Sequence, residues 1–169
     1  VKAEKTITVS PQLSPTISGD LSICAGESAT LTVSTPDDGK TTYKWSNHET
    51  TRSITVSPAT TTSYSVEVTR NGCTATAGPV EVVVNTKPSI SFTGGTSVCK
   101  GSIASITANV TGGSGSYTYA WNDPESTTSA TLKVTPYATT SYTVTVTDVV
   151  TKCTNSASVT INVTESTAP

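Results

Sequence analysis

The sequence predicts an all-β chain of two tandem Greek-key β-sandwich domains with an extra strand at the N-terminus. Apolar residues alternate with Thr, Ser or Glu along most of the chain, and this period of two is typical of half-buried strands. About one residue in five is Thr, a β-branched type that suits a pleated surface. Turn residues separate the alternating stretches. No stretch has the 3.6-residue period of an amphipathic helix, so these features together predict sandwiches.

The chain contains the same pattern twice. The first copy runs from Pro15 to Cys73 and the second from Pro88 to Cys153, with the equivalent prolines 73 positions apart and the equivalent cysteines 80 apart. A repeat of this length is a small domain copied in tandem rather than a solenoid unit. The predicted organisation is an orphan strand at residues 1–12, a first repeat at 13–87 and a second repeat at 88–169.

Strands are expected wherever the alternation is cleanest. In the first repeat they are residues 29–33, 42–45, 53–56, 64–68 and 80–84. In the second repeat they are residues 103–108, 117–121, 130–134, 142–146 and 157–163. Turns are expected at residues 35–39, 57–60 and 70–72, where Pro, Asp, Asn and Gly cluster.

Four aromatic residues support an immunoglobulin-like order of strands. Trp45 and Trp121 lie in strands that correspond to the third strand of an immunoglobulin-type sandwich, where such a fold keeps its core tryptophan. Tyr64 and Tyr142 open the sixth strand, where a tyrosine corner forms in such domains. We interpret all four as core residues, because the strand alternation points both tryptophans inward. Exposed tryptophans that stack on sugars are the less favoured alternative.

Each repeat has two cysteines at matching positions, which predicts disulfides and an exported protein. The preferred pairing is within the repeats, Cys24 with Cys73 and Cys99 with Cys153. In an immunoglobulin order, however, the two cysteines of a repeat lie at opposite ends of the sandwich, roughly 23 Å apart. A disulfide needs Cα atoms within about 7 Å.

Two arrangements would remove this conflict. The short connection at residues 47–52 could eliminate one strand and bring both cysteines of a repeat to one end. Alternatively, the bond crosses the repeats from Cys24 to Cys153 and leaves Cys73 and Cys99 to pair with neighbouring copies. Spacing does not decide between them, since connectivity cannot be deduced from sequence alone.

The N-terminal segment is similar to the last strand of a repeat whose body is missing. The alternation Thr6, Ile7, Thr8, Val9 predicts a strand rather than a disordered leader. In the preferred interpretation the chain is a piece of a longer array and this strand is a leftover, because linked domains are easily excised at their linkers. In the alternative, residues 1–10 are donated to a neighbouring chain and complete its sandwich, which gives a filament.

Composition excludes several classes of function. The formal net charge is −2 without a basic run, so no nucleic-acid partner is expected. The longest apolar stretches, such as residues 82–84, are only strand-sized, and no membrane insertion is expected.

Few residues suggest chemistry, so we predict no enzyme, no catalytic residue, no metal and no cofactor. His48 lies in a turn without a recognisable nucleophile, as a solvated surface histidine does. The loops at 36–39 and 122–125 carry carboxylates but lack an established calcium-ligand spacing, and we interpret them as turns. Asn109 and Asn162 begin Asn-Val-Thr sequons, a short pattern that is often fortuitous.

The most distinctive residues of the second repeat are 99–101, 111–122, 141–148 and 153–161. On these residues the second repeat resembles the PKD-like and Ig-like repeats of large surface adhesins from gliding bacteria and their relatives. The first repeat is similar to a sister form of the same family through residues 23–32, 43–46, 50–56 and 71–73. The Trp-Asp-Phe-Gly-Asp-Gly signature of PKD domains proper is absent, and residues 47–49 and 122–125 stand in its place.

This resemblance implies exported spacers or adhesive stalks, sometimes attached to secreted hydrolases. The leading hypothesis is therefore a non-enzymatic structural or adhesive module at the bacterial cell surface. A filament subunit that donates residues 1–10 is one alternative, and a carbohydrate-binding accessory of a secreted hydrolase is another. The expected partners are neighbouring repeats or identical subunits, with surface glycans and a host or substrate surface as further candidates.

Overall fold

The computed structural model describes residues 12–36 and 39–165, which form strands, turns and irregular loops. The chain divides into two compact units, the first ending at Val84 and the second beginning at Asn85. In the described residues no helix is long and apolar enough to cross a membrane. The predicted orphan strand with Thr6, Ile7, Thr8 and Val9 lies outside the described residues.

Two sheets form the first unit. The strands in its described residues are β1 (Ile17–Gly19), β2 (Ser22–Cys24), β3 (Ala29–Val33), β4 (Thr41–Trp45), β5 (Ser53–Val56), β6 (Thr62–Arg70) and β7 (Cys73–Asn85). One sheet has the order β1-β3-β5 and the other the order β2-β7-β6-β4. Strand β3 alternates buried and partly or fully exposed residues, as a sandwich strand with one face in the core does.

The second unit repeats this topology. Its strands are β8 (Ser89–Gly94), β9 (Ser97–Cys99), β10 (Ala104–Thr111), β11 (Tyr117–Trp121), β12 (Thr131–Val134), β13 (Thr140–Asp148) and β14 (Thr154–Thr164). The sheet orders are β8-β10-β12 and β9-β14-β13-β11. The all-β prediction of two tandem sandwiches is confirmed, and every strand predicted between residues 29 and 163 has a counterpart. The short strands β1, β2, β8 and β9 were not predicted.

A buried tryptophan anchors each core. Trp45 is 1% exposed and packs with apolar residues of both sheets, including Leu31 and Val66. Its indole N–H donates to the carbonyl of Thr51 at 2.8 Å. In the second unit the Trp121 indole makes the equivalent bond to Ser129 at 3.0 Å. Each tryptophan therefore fills the core and also fixes the loop that follows its own strand.

The connection from β4 to β5 runs back along the first sandwich. The chain reverses directly after β4, where Trp45 N donates to the carbonyl of Glu49 at 2.9 Å. It then descends to Arg52, whose carbonyl accepts a bond from Val33 N at 3.1 Å. Strand β5 consequently begins opposite the end of β3, with Ser53 paired to Thr32. The connection has no regular structure, but it returns the chain to the end of the sandwich from which β5 can run antiparallel to β3.

Candidate functional site

The ends of the two sandwiches carry the cysteines. Cys24 and Cys99 each end a short strand and open the same turn, in which the residue three positions later donates its N–H to the cysteine carbonyl. These bonds are Glu27 N to Cys24 O at 2.9 Å and Ser102 N to Cys99 O at 3.0 Å. Cys99 pairs with Thr164, the last residue of β14. The two cysteines are structurally equivalent and lie at the same end of their sandwiches.

The other two cysteines are equivalent as well. Cys73 begins β7 and pairs with Arg70 at the end of β6. Cys153 directly precedes β14, and its carbonyl accepts a bond from Asp148 N, at the end of β13, at 2.9 Å. Both cysteines therefore follow the hairpin that leads into the last strand of their repeat.

The within-repeat disulfide pairing is wrong in this structure. Cys73 and Cys99 are free and exposed, whereas Cys24 and Cys153 are disulfide-bonded. The physical reason is strand length. Cys99 and Cys153 lie at opposite ends of β14, whose 11 residues extend roughly 35 Å.

The first repeat separates its cysteines in the same way. Leu21, next to β2, accepts a bond from Val83 N near the far end of β7, at 2.9 Å. The 13 residues of β7 extend roughly 40 Å, so Cys24 lies far from Cys73. No regular strand lies between β4 and β5, but this does not bring Cys24 and Cys73 together. The irregular connection still runs the length of the sandwich, so the later strands keep the directions of an immunoglobulin order. Each repeat thus has one bonded and one free cysteine.

A buried carboxylate braces the loops at the Cys153 end of the second unit. Asp148 is 0% exposed. Its carboxylate accepts bonds from Ser114 N at 2.5 Å and from the Ser114 hydroxyl at 2.9 Å. It also accepts bonds from the N–H groups of Val150 and Thr151, both at 2.9 Å. Asp148 therefore fastens the Gly-rich loop before β11 to the turn after β13.

The hydrogen bonds determine the protonation state of this carboxylate. The N–H groups of Ser114 and Thr151, with the Ser114 hydroxyl and Val150 N–H, hold the pKa of Asp148 far below the ordinary value despite burial. The loop is shaped for this contact. Gly113 has a φ of +67°, and a Cβ there would overlap with Asp148 Oδ2. Asp148 was not among the residues singled out from the sequence, although a glycine-rich loop that offers N–H donors is the signal that could have indicated it.

A second carboxylate braces the loop after β11. Asp123 accepts bonds from Thr127 N at 2.8 Å and from the Thr127 hydroxyl at 2.9 Å. Burial raises the pKa of Asp123, but these hydrogen bonds outweigh it and leave the pKa below its usual range. Asp123 itself lines a cleft of about 290 Å³ together with Glu125 and Tyr142. The Asp123 carboxylate accepts its hydrogen bonds from Thr127, and these bonds hold the loop at 122–125 as a turn.

The other chemical candidates remain on the surface. His48 is exposed and has a φ of +71° in the turn after β4. Within residues 12–36 and 39–165, no three His, Cys, Asp or Glu side chains are arranged to hold a metal ion. The carboxylates of the 36–39 loop lie outside the described part of the chain. The sequon residues Asn109 and Asn162 are both exposed.

The aromatic residues are placed as follows. Trp121, Tyr64 and Tyr142 are 4%, 7% and 8% exposed, and Trp45 is buried with them in the two cores. None of the four offers a face for stacking on sugars. Tyr137 is 71% exposed and its ring lies near Gly101, in the turn that Cys99 opens, and Ile103 is 72% exposed. Neither side chain was singled out from the sequence: Ile103 was placed in the predicted strand at 103–108, and Tyr137 lies in the loop after β12.

The first and last parts of the second sandwich are paired in parallel. Strand β9 lies beside the end of β14, with Ser97 opposite Asn162 and Cys99 opposite Thr164. Asn162 N donates to the carbonyl of Thr96 at 2.8 Å, and Lys100 N donates to the carbonyl of Thr164 at 3.0 Å. In the first unit, β2 is likewise the neighbour of the last strand, β7.

Both repeats match known families of repeat domains. Residues 11–86 match the family model described as Ig-like domain, CHU_C associated. Residues 97–126 match the family model of the SprB repeat. Domains of both families belong to cell-surface or secreted proteins. No curated protein matches the sequence. The predicted resemblance to Ig-like surface repeats is confirmed.

Solved structures with the same fold are distant in sequence. A C-terminal 282-residue fragment of intimin, crystallised with the intimin-binding domain of its translocated receptor, is 15% identical with a TM-score of 0.56. The match covers 86% of this chain and 63% of the intimin fragment. The eight N-terminal Ig domains of Down Syndrome Cell Adhesion Molecule are 13% identical with a TM-score of 0.56, over 89% of this chain and 24% of that one. These similarities show the Ig-like fold alone.

Proposed function

We propose that this pair of Ig-like repeats, of the type found in surface proteins of gliding bacteria, is a load-bearing spacer in an extracellular bacterial surface protein. The observation that carries the proposal is the parallel pairing of β9 with β14. Force applied to the two ends of the second unit pulls these strands in opposite directions along their length. Their hydrogen bonds then resist together rather than opening one after another. This arrangement suits a module that transmits tension.

The hydrogen bonds of the polar side chains also support a spacer role. Asp148 and Asp123 are engaged in bracing loops. The indole N–H groups of Trp45 and Trp121 hold the loops that follow their strands. Groups that could otherwise take part in catalysis or ligand binding thus contribute to rigidity, and we infer a non-enzymatic module whose partners are other repeats or identical subunits.

Single-molecule force unfolding of the full chain tests the proposal. The substitution Asn162→Pro removes the N–H that bonds Thr96, at a position beyond the end of the pairing between β13 and β14. We expect one of the two unfolding events to move to clearly lower force. Lys133→Pro is the matched control, because it alters the edge strand β12 of the other sheet.

The comparison with equilibrium stability makes the result specific. Both proline variants are expected to lower the free energy of unfolding, since each disturbs a strand. Only Asn162→Pro is expected to lower the unfolding force by much more than its equilibrium effect implies. Equal loss of force in both variants would mean that the β9–β14 pairing does not bear the load, and the spacer proposal would fail.

The two alternatives from the sequence have less support. The filament alternative needs residues 1–10, which lie outside the described residues, while both sandwiches contain a last strand of their own, β7 and β14. It stays a prediction, and deletion of residues 1–10 should abolish assembly if it is right. The carbohydrate-binding alternative needs an exposed aromatic platform, whereas Trp45 and Trp121 are buried.

A further inference from the structure

We propose that the cleft beside Asp123 in the second unit binds a single ring of a neutral sugar through the hydroxyl groups of that ring. The cleft has a volume of about 290 Å³ and is lined by the loop after β11, the end of β12 and Tyr142 of β13. Small-molecule sites begin at roughly 300 Å³, so this volume restricts the occupant to about one ring. The inference goes beyond the spacer role and does not depend on it.

The cleft lies beside two edge strands and is open to solvent. Strand β11 is the outermost strand of one sheet of the second unit, and β12 is the outermost strand of the other. Glu125 belongs to the loop after β11, whereas Lys133 belongs to β12 and Thr135 follows it directly. All three residues are exposed. A ligand can therefore reach both walls of the cleft without any opening of the sandwich.

The loop that forms one wall is longer than its counterpart in the first repeat. Asp123 accepts a bond from Thr127 N at 2.8 Å, and its equivalent Asn47 accepts one from Glu49 N at 3.3 Å. Three residues lie between the partners in the second repeat and one lies between them in the first. The longer loop brings Glu125 into the wall of the cleft.

The opposite wall also differs between the repeats. Lys133 pairs with Ser105 in the register in which Thr55 pairs with Thr30, so Thr55 stands in the first repeat where Lys133 stands in the second. Both exposed charges of the cleft are thus specific to the second repeat. In the described part of the chain, neither Lys133 nor Glu125 takes part in an ion pair. Both charged groups are available to a ligand.

The hydroxyl of Tyr142 is a nearly buried group that a ligand could satisfy. Its side chain is 8% exposed, and within residues 12–36 and 39–165 the hydroxyl has no hydrogen-bond partner. No fully buried polar side-chain atom of these residues lacks a partner. The hydroxyl therefore keeps some accessible surface, and Tyr142 lines the cleft. Because unpaired polar groups in such surroundings are costly, a ligand that bonds this hydroxyl gains affinity.

These groups together define the class of ligand. A simple anion would be repelled by the carboxylates of Asp123 and Glu125, and a simple cation would be repelled by Lys133. Sugar hydroxyls are neutral, and each can both donate and accept a hydrogen bond. Neighbouring hydroxyls of one ring can therefore bond a carboxylate and an ammonium group together. Pro124 and Val134 add apolar surface for the C–H groups of the ring.

This site differs from the aromatic platform that the carbohydrate-binding alternative requires. A platform binds a sugar ring by stacking it on an exposed aromatic face. The cleft would bind a ring by hydrogen bonds, and Tyr142 contributes its hydroxyl rather than the face of its ring. The burial of Trp45 and Trp121 is therefore compatible with the proposal.

Heteronuclear NMR of the full chain tests the proposal with the methyl glycosides of glucose, galactose, mannose and N-acetylglucosamine. We expect at least one glycoside to shift the backbone amide signals of Glu125, Lys133 and Thr135 in a saturable way. The dissociation constant should lie in the millimolar range, since one ring offers few contacting atoms. Glycine and calcium chloride are the zwitterionic and cationic probes.

Two outcomes of the titrations would overturn the proposal. One is the absence of a saturable shift with every glycoside. The other is a response of the same amide signals to glycine or to calcium that equals or exceeds the response to the glycosides. Neither outcome affects the force-unfolding result, so failure of the sugar site and failure of the spacer role are distinguishable.

The hydroxyl of Tyr142 has a matched control in the first repeat. Tyr142→Phe removes the hydroxyl and keeps the ring in the core, and it should weaken glycoside binding several-fold. The stability of the second unit should hardly change, because the hydroxyl has no partner to lose. Tyr64→Phe makes the same change at the equivalent position, where Tyr64 is 7% exposed, and should leave binding unaltered. Equal affinities of the two variants would overturn the assignment of this hydroxyl to the site.

The charged walls are tested by Glu125→Ala and Lys133→Met. Each substitution should weaken glycoside binding several-fold and leave urea unfolding unchanged, because both side chains are exposed. Glu81→Ala is the matched control, since Glu81 is an exposed carboxylate of β7 in the first unit. Unaltered affinity in both wall variants would overturn the proposal.

Discussion

Asp148 and Ser114 are 34 residues apart in sequence and are joined by two hydrogen bonds in the second unit. The Ser114 N–H and hydroxyl donate to the two carboxylate oxygens of Asp148, which has no exposed surface. In the first repeat, Arg70 occupies the position equivalent to Asp148 and pairs directly with Cys73. The first repeat thus closes this hairpin with a turn at residues 71–72, whereas the longer hairpin of the second repeat is held by the hydrogen bonds of Asp148.

The second unit should lose stability in acid through this brace. The folded-state pKa of Asp148 lies below its ordinary value of 3.8, so its contribution is fully present above that pH. The contribution is lost as the pH falls below about 4 toward the folded-state pKa. Asp148→Asn should lower the unfolding midpoint at pH 7 and flatten the profile in acid, as measured by urea unfolding across pH. Glu125→Gln, which alters an exposed carboxylate, should leave the profile unchanged.

Two glycines of the loop before β11 should differ in their tolerance of alanine. Gly115 has a φ of +87° with nothing near its Cβ position. Gly115→Ala should therefore cost only the backbone strain, about 1 kcal/mol. Gly113→Ala adds an overlap with Asp148 and should destabilise by roughly 1–3 kcal/mol more. Chemical unfolding of both variants measures the difference, and equal losses would show that the loop does not pack on Asp148.

The tryptophan hydrogen bonds should contribute measurably to stability. Trp45→Phe removes the N–H that bonds Thr51 and leaves a smaller ring in a fully packed core. We expect a loss of about 2 kcal/mol in the free energy of unfolding. Tyr137→Phe, a change in an exposed ring, should stay within about 0.5 kcal/mol. A neutral Trp45→Phe would contradict the role of the indole in fixing the loop after β4.

The regular part of the fold was predictable because burial of one strand face enforces alternation. Strands such as β3 and β5 were found with their correct bounds for this reason. Strands β2 and β9 have three residues each, too few for any alternation to stand out. The first three residues of β14, Thr154–Ser156, were missed because they are polar and exposed, and they are held by pairing with β13 rather than by the core.

Which cysteines are bonded and which are free could not be predicted from the sequence, for a different reason. Their equal spacing in the two repeats is compatible with pairing inside a repeat or across repeat ends. The distinction depends on the direction in which each strand runs, and that is determined by the connection after β4. This connection has no regular structure and is held by the indole of Trp45 and the carbonyl of Arg52. Its course could not be deduced from local patterns.

The central claim is that each repeat places its two cysteines at opposite ends of its sandwich, one bonded and one free. Alkylation of the native oxidised chain, followed by peptide mapping without reductant, tests this most directly. We predict alkylated Cys73 and Cys99, with Cys24 and Cys153 protected in disulfide linkage. Peptides that join Cys24 to Cys73, or Cys99 to Cys153, would contradict the account.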